Sequence, residues 1–423
     1  MTTTKNNEHK KLNFSSEREQ SQACLNSAEH EKNQGRKVHN VPNLRFPEFE
    51  GEWEKCKLSE ICTFFSGGTP SSSNKDFYGG NIAFIRSGEL HADSTELFIT
   101  QAGFDSSSAK MVEIGDLLLA MYGATSGDIA VSKIKGAINQ AILCIRTKQN
   151  KKFIESVWNK HVSKNLRKYL QGGQGNLSAD IVKGISFFFP TLKEQEKIAN
   201  LVSLLDERIA TQNKIIEDLK KLKSAIIDYA INSLDTDFAK FGSLYEMAGE
   251  GGTPTTSNAS FYDNGKIPFI KIDDLKKKYL TENKDFITEL GLQKSSAWLV
   301  PTRSILFSNG ATIGEITITT YPVCTKQGIL GIVPKPNIDV EFLYYFMSSS
   351  YFKKAVSRIV TEGTMKTVYL KDINNIRCPI PTKEKQLDIA KMPSALNSKI
   401  DFEQSILKLF GSQKQYLLRQ MFM

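Results

Sequence analysis

Hydrophobic positions in this chain follow two different periods, and the change from one to the other divides it. Short apolar runs bounded by Gly, Ser and Asn, namely Ile82 to Ile85, Leu117 to Met121, Ile129 to Val131 and Ala141 to Ile145, predict strands. Phe153 to Leu170 instead carries Ile154, Val157, Trp158, Val162, Leu166 and Tyr169, the spacing of a helix face. The first unit is therefore mixed α and β. After Pro190 the pattern changes: Thr191 and Glu194 form a T-x-x-E capping box, and no Gly or Pro interrupts the chain before Leu234. Val202, Leu205, Ile209, Gln212, Ile216, Leu219, Lys223, Ile226 and Ala230 then step by three and four in alternation, which is the seam of a coiled coil.

The same seam closes the chain. At an offset of 191 (393 − 202) stand Pro393, Leu396, Ile400, Glu403, Leu407, Phe410, Lys414, Leu417 and Met421. Pro393 lacks the N–H that a helix interior needs, so a kink or a restart is expected there. Both seams are polar at matching positions, Gln212 and Lys223 in one, Glu403 and Lys414 in the other. A parallel in-register pairing sets Lys223 against Lys414. An antiparallel register sets Lys223 beside Glu403 and Gln212 beside Lys414, with Ile216 on Phe410, Leu219 on Leu407, Ile209 on Leu417 and Ile226 on Ile400. Antiparallel helices with polar layers fixing the register are therefore expected. Simple self-association, or packing on an adjacent domain, accounts for a heptad seam as well.

What lies between the helices is also said twice. Gly67-Gly68-Thr69-Pro70 returns as Gly251-Gly252-Thr253-Pro254, an offset of 184 (251 − 67), and Phe77-Tyr78 returns as Phe261-Tyr262. Ile82-Ala83-Phe84-Ile85 matches Ile267-Pro268-Phe269-Ile270, and Gly123-Ala124-Thr125 matches Gly310-Ala311-Thr312. A period this long denotes a duplicated folding unit rather than a solenoid repeat. The expected organisation is a polar, disordered tail over residues 1–40, a first domain over 41–190, a long helix over 191–235, a second domain over 236–381 and a second long helix over 382–423. The fold class is α+β: two mixed α/β domains separated by two long helices that form an antiparallel coiled coil, with internal pseudo-two-fold symmetry.

Composition narrows the function by exclusion. No apolar run is long enough to cross a membrane and residues 1–40 lack the apolar centre of a secretory signal, which places the chain in the cytoplasm. The 6 cysteines and 5 histidines are dispersed without a CxxC pair, so neither a zinc site nor a disulfide framework is expected. A GxxxxGK[ST] loop and a methyl-transfer motif are both missing, so no catalytic residue is assigned. The net charge of +9 favours an anionic partner such as nucleic acid.

Four paired polar loops carry the candidate chemistry. The first places Thr69, Ser71, Ser72, Asn74 and Lys75 against Thr253, Thr255, Thr256 and Asn258, hydroxyls and amides suited to phosphate oxygens or base edges, although Ser-rich loops also serve as solvated connections. The second sets Arg86 and Ser87 against Lys271 and Asp273 at a strand end, where basic and acidic groups read guanine and cytosine, or form a surface salt bridge. The third pairs Tyr122 and Thr125 with Asn309 and Thr312. The fourth pairs Gln174 and Asn176 with Thr364 and Lys366; Lys164 and Lys168 precede it in one copy and Lys354 in the other, putting positive charge beside a polar loop.

The order of these parts resembles the specificity subunit of type I restriction-modification systems. The resemblance is carried by the segment from Trp53 to Pro70, by Asn176-Leu177-Ser178, by the Pro190 to Ala199 helix start and by Leu205-Asp206-Glu207-Arg208-Ile209, nearly all of it repeated. It implies two target recognition domains that each read half of a bipartite site in double-stranded DNA, and helices that dock two modification (methyltransferase) subunits. It further implies a non-catalytic chain that directs adenine methylation or restriction, with S-adenosylmethionine, ATP and magnesium held by the modification and restriction subunits and no cofactor on this chain. The gap between half-sites is then set by the helices. A methyltransferase with a fused recognition domain, and a two-headed scaffold that binds only proteins, remain as alternatives. Pro393 and the long polar head depart from the family pattern.

Overall fold

The structure, a computed structural model, describes residues 40–169, 176–310, 312–360 and 366–423, with backbone only for 162–169. The tail expected over residues 1–40 lies outside these apart from Asn40. Two compact units form, one from the chain up to Leu204 together with Lys414–Met423, the other from Leu205–Gln413.

In the first unit an antiparallel sheet runs in the order Cys62–Ser66, Ile142–Thr147, Leu117–Ala120, Ile129–Val131. All of Leu117 to Ala120 is buried because the sheet is covered on both faces. Leu117 and Leu119 enter the core that holds Trp53, Phe153 and Trp158, while Leu118 and Ala120 enter a second core with Ile85 and Val112. That double burial is why these strands read as unbroken apolar runs. A second sheet orders Phe98–Ile99, Tyr78–Ile85, Gly136–Ile138 and Lys110–Val112.

The second unit repeats the plan. Tyr245–Glu250, Ile329–Pro334, Ile305–Ser308 and Ile316–Thr319 match the first sheet, and Asp285–Ile287, Ile267–Ile270 and Cys324–Thr325 match the second. One strand is added at the edge, Tyr279–Leu280, parallel to Ile316–Thr319. It delivers Lys278 to a buried site where the amine meets the Glu341 carboxylate, the Tyr345 hydroxyl at 2.8 Å and Ser394 Oγ at 2.9 Å. This clasp ties the second domain to its own long helix.

Both long helices form, over Leu192–Asn232 and Lys383–Met421. The second runs unbroken through Pro393, so the restart expected there does not occur. The capping box at the first is only half formed. Thr191 Oγ1 accepts from Glu194 N at 3.5 Å, but the Glu194 carboxylate turns into the domain to accept from Arg45 and from Trp53 Nε1.

A buried glutamine one position later does more. Gln195 accepts from Asn150 N at 3.1 Å and donates to Pro190 O and to Gln149 Oε1; Gln386 accepts from Asp339 N at 2.7 Å and donates to Pro381 O and to Asn337 O. The same side chain thus locks the start of each helix to its domain. The helix ends are also buried. Met421 and Phe422 pack in the first unit's core, with Phe422 5.2 Å from the Phe153 ring, and Leu44 N donates to Gln420 O. In the second unit Ile227 and Ile231 enter the core, and Asp228 accepts from Ser350 N at 2.7 Å.

Within the second unit the two helices are antiparallel, but the register differs from the expectation. Gln212, not Lys223, meets Glu403, donating to its backbone oxygen at 3.1 Å and to its carboxylate. Lys223 donates to Asn397 Oδ1 at 3.0 Å, and Phe410 lies under the Arg208 guanidinium, 4.9 Å away, rather than against Ile216. The observed pairs fall about one heptad from the predicted ones. The physical reason is the anchoring of Ile227, Ile231 and Asp228 in a domain core, which outweighs one better-matched charge pair in a half-solvated seam.

Burial holds the Lys223 pKa below the ordinary lysine value, with Asp401 opposing. The unfolded chain therefore binds more protons just below pH 10.5, and the native state gains stability as pH rises through that window. Lys223→Met should stabilise the fold near neutral pH, with the gain shrinking as pH approaches the unfolded lysine value; urea midpoints at about pH 7 and about pH 10 test both statements.

Candidate nucleic-acid interface

The glycine pair opening the first polar loop is required by packing. A Cβ at Gly67 stands 1.8 Å from the Ile138 carbonyl oxygen and one at Gly251 stands 2.2 Å from that of Thr325. The loop is pressed onto the segment that follows the Gly136–Ile138 strand, or its Cys324–Thr325 counterpart. Tyr78 and Tyr262 then close it, their hydroxyls donating to Pro70 O and Pro254 O at 2.8 and 2.5 Å. Asn74 and Asn258 are spent locally, accepting from Asp76 N and Ser260 N as caps. Thr69, Ser71, Ser72 and Lys75 remain exposed, as do Thr255 and Thr256, while Thr253 is half-buried.

The second loop is dominated by internal pairing. Arg86 donates to Glu89 from Nε and Nη2 at 3.2 and 3.0 Å, and that carboxylate raises the guanidinium pKa. Burial pushes the Glu89 carboxyl up, but the Arg86 bonds outweigh it and the net shift is downward. Ser87 is half-buried beside them. Lys271 pairs with Asp285 at 2.8 Å and Asp273 with Lys276 at 3.1 Å. The salt-bridge alternative is therefore the observed state. In the second unit Lys271, Asp273, Lys276 and Asp285, with Asn283 and Lys284, line a polar groove of about 610 Å³.

The third and fourth loops are brought together in each unit. Leu177 N donates to Met121 O at 2.9 Å, placing half-buried Asn176 beside exposed Tyr122 and half-buried Thr125. In the second unit Val368 N donates to Asn309 O and Asn309 Nδ2 to Val368 O. Asn309 is 1% exposed, which corrects its place among the surface candidates: its amide is a peg between the loops. Thr312 and Lys366 are exposed on either side of it. The side chains of Lys164 and Lys168, and Gln174 and Thr364, lie outside the described residues.

The basic helix of the second unit, Ser350–Ile359, buries Phe352 and Val356 and turns Lys353, Lys354 and Arg358 outward. None of the three has an ion-pair partner among the described residues, unlike the lysines of the second loop. Lys353 and Lys366 both border a cavity of about 580 Å³ floored by Phe307, Met347, Phe352 and Val356. Unneutralised cations at a polar loop are what a polyanion would meet first.

Gln195 and Gln386 were within reach of sequence reasoning, since both stand five residues after a Pro-Thr-containing helix start in the two copies. So was a second echo, Gln140-Ala141-Ile142-Leu143 with Gln327-Gly328-Ile329-Leu330 at an offset of 187 (327 − 140). Among the described residues no group of three or more His, Cys, Asp or Glu side chains could hold a metal ion, and no helix is long and apolar enough to cross a membrane.

The family model described as the type I restriction modification DNA specificity domain matches residues 50–221 and again 235–409. The specificity subunit of the MjaIX type I restriction enzyme from Methanocaldococcus jannaschii is 24% identical over 363 residues, 78% of this chain and 83% of the relative. The MjaVIII specificity subunit of the same organism is 22% identical over 388 residues, 85% of this chain and 89% of the relative. Among solved structures, the S subunit of the type I restriction-modification system from M. genitalium superposes with a TM-score of 0.56 at 16% identity, over 90% of this chain and 99% of that one.

Because the glycine contacts are with backbone atoms, Gly251→Ala cannot be absorbed by a side-chain rotation. It should destabilise the second unit by about 1–3 kcal/mol or more, read as a lowered denaturation midpoint, whereas Thr255→Ala in the same loop leaves the midpoint unchanged.

Proposed function

The chain belongs to the type I restriction-modification specificity family, and from that premise we propose that each of its two domains binds one segment of a bipartite site in double-stranded DNA. As a specificity subunit it is the non-catalytic component of its system. In this reading the polar loops of each domain supply base contacts and the basic helix beside the fourth loop supplies phosphate contacts, the usual division between specifying and positioning groups. The observation that carries it is the exposed triplet Lys353, Lys354 and Arg358 next to Lys366, without an ion-pair partner among the described residues, whereas Lys271, Lys276 and Lys277 of the second loop are each paired with an acid.

The long helices, in the same reading, dock two modification subunits, and adenine methylation or restriction is carried out by partners that hold S-adenosylmethionine, ATP and magnesium. Exposed apolar residues support this. Ile215, Leu222 and Tyr229 stand seven apart on the first helix and Phe402 and Leu409 seven apart on the second, all exposed and all off the seam that joins the two helices. A heptad stripe with no covering element suits an α-helical or flat apolar partner surface.

Two experiments test these statements. Lys353→Gln combined with Arg358→Gln should flatten the dependence of log affinity for duplex DNA on log salt by about 0.9 per lost phosphate contact, with base preferences unchanged; a slope equal to that of the unaltered chain sinks the DNA assignment of this face. Leu222→Glu combined with Leu409→Glu should prevent co-purification with the modification subunit without lowering the denaturation midpoint, and full retention of the complex would exclude the stripe as its dock.

A further inference from the structure

Gln140 and Gln327 occupy the same place in the two units and are exposed in both. Each sits at the point where the first two polar loops converge. In the first unit Gly68 N donates to Ile138 O and Asn139 N to Ile85 O; in the second Gly251 N donates to Ile329 O and Lys326 N to Ile270 O. The segments before and after the glutamine thus tie down the glycine loop and the end of the strand that carries Arg86 or Lys271.

The glutamine also meets the threonine of the repeated Gly-Gly-Thr-Pro. Thr69 Oγ1 donates to Gln140 Oε1, which occupies one acceptor lone pair and leaves both amide N–H donors of the exposed Gln140 without a partner among the described residues. In the second unit Thr253 Oγ1 accepts from Gln327 N at 3.3 Å, so its hydroxyl proton and the Gln327 amide remain to donate. Both pairs therefore present donors and ask for an acceptor.

Repetition decides what kind of acceptor. Buried residues repeat because the cores repeat, but these glutamines are exposed, and among the described residues their side-chain amide donors have no partner. The loops around them differ between the copies, as two different DNA segments require. A contact kept in both domains is one that does not depend on base identity, and the N–H donors that both glutamines offer match a phosphate oxygen.

Resting on the DNA-binding reading above, we propose that Thr69 with Gln140, and Thr253 with Gln327, form a phosphate-contacting site common to the two domains, which sets the position of each domain on the duplex backbone while the unlike loops around it read bases. The contact is neutral, so it releases no counterion and adds nothing to the salt dependence, in contrast to the basic helix.

The test uses the full chain assembled with its modification subunit, and fluorescent duplex carrying its preferred site or scrambled sequence. Gln327→Ala should weaken binding to both duplexes alike, by about 5-fold for one lost neutral hydrogen bond, with the salt slope unchanged. Gln327→Glu removes the donors and adds a negative charge, and should weaken binding more than alanine does. Gln140→Glu gives the corresponding result in the first domain, and since glutamate keeps the acceptor for Thr69, a purely structural role predicts that it binds better than Gln140→Ala. Denaturation midpoints of all variants should match the unaltered assembly. Equal affinity of glutamine, alanine and glutamate forms overturns the proposal, as does a change in base preference confined to one position. Failure of the unaltered assembly to bind duplex at all is the separate result that removes the DNA reading beneath it.

Discussion

Everything in this molecule depends on the burial of long-helix ends inside β-rich cores. In the first unit the core takes Ile198, Ala199 and Val202 from the start of one helix and Met421 and Phe422 from the end of the other. In the second it takes Ile227 and Ile231 from an end and Ile389 and Ala390 from a start. Among these, the Val, Ile, Met and Phe side chains contribute roughly 1.5–3 kcal/mol each. The exposed flanks of the same helices have no comparable hold, so the helix ends, together with the buried amides of Gln195 and Gln386, fix where each helix begins and how far it is inserted.

That constraint explains the register of the helix pair in the second unit. The seam itself tolerates more than one alignment, because apolar layers recur every heptad. Lys223 would find a carboxylate if the helices were slipped by one repeat, and in the structure it settles for the Asn397 amide instead. A half-solvated ion pair is worth at most about 1 kcal/mol. Withdrawing Ile227 and Ile231 from the core would cost several times more. Gln212 and Glu403 then meet as a consequence of the anchoring and stay buried together. The continuity of the second helix through Pro393 has a related cause: its flanks, Ala390 and the Ser394 hydroxyl held by Lys278, are fixed by the domain, so one missing N–H does not end it.

The same economy runs through the polar loops. Residues that correspond between the two copies fall into groups with different tasks. Asn74, Asn258, Tyr78, Tyr262 and the glycine pairs build the loop; Arg86 and Lys271 are tied to their own acids; Asn309 holds two loops together. Among the described residues, those left exposed without a side-chain partner include Lys353, Lys354 and Arg358 on the basic helix. Which hydrogen-bonding capacity is left over is not visible until the pairings are known.

The sequence by itself determined the duplicated mixed α/β plan, the two long helices and their antiparallel pairing, because each is written in local periodicity, in capping residues and in a repeat that any reader of the chain can align. The positions of its polar loops between the strands were legible for the same reason. Only the tertiary structure decided the helix register, the diversion of Glu194 from its own cap to Arg45 and Trp53, the burial of Asn309 and the extra strand that carries Lys278 into contact with Ser394. Each of these turns on which of several chemically acceptable partners comes within about 3 Å, and partners distant in sequence are selected by how the cores pack, a quantity that no local pattern encodes.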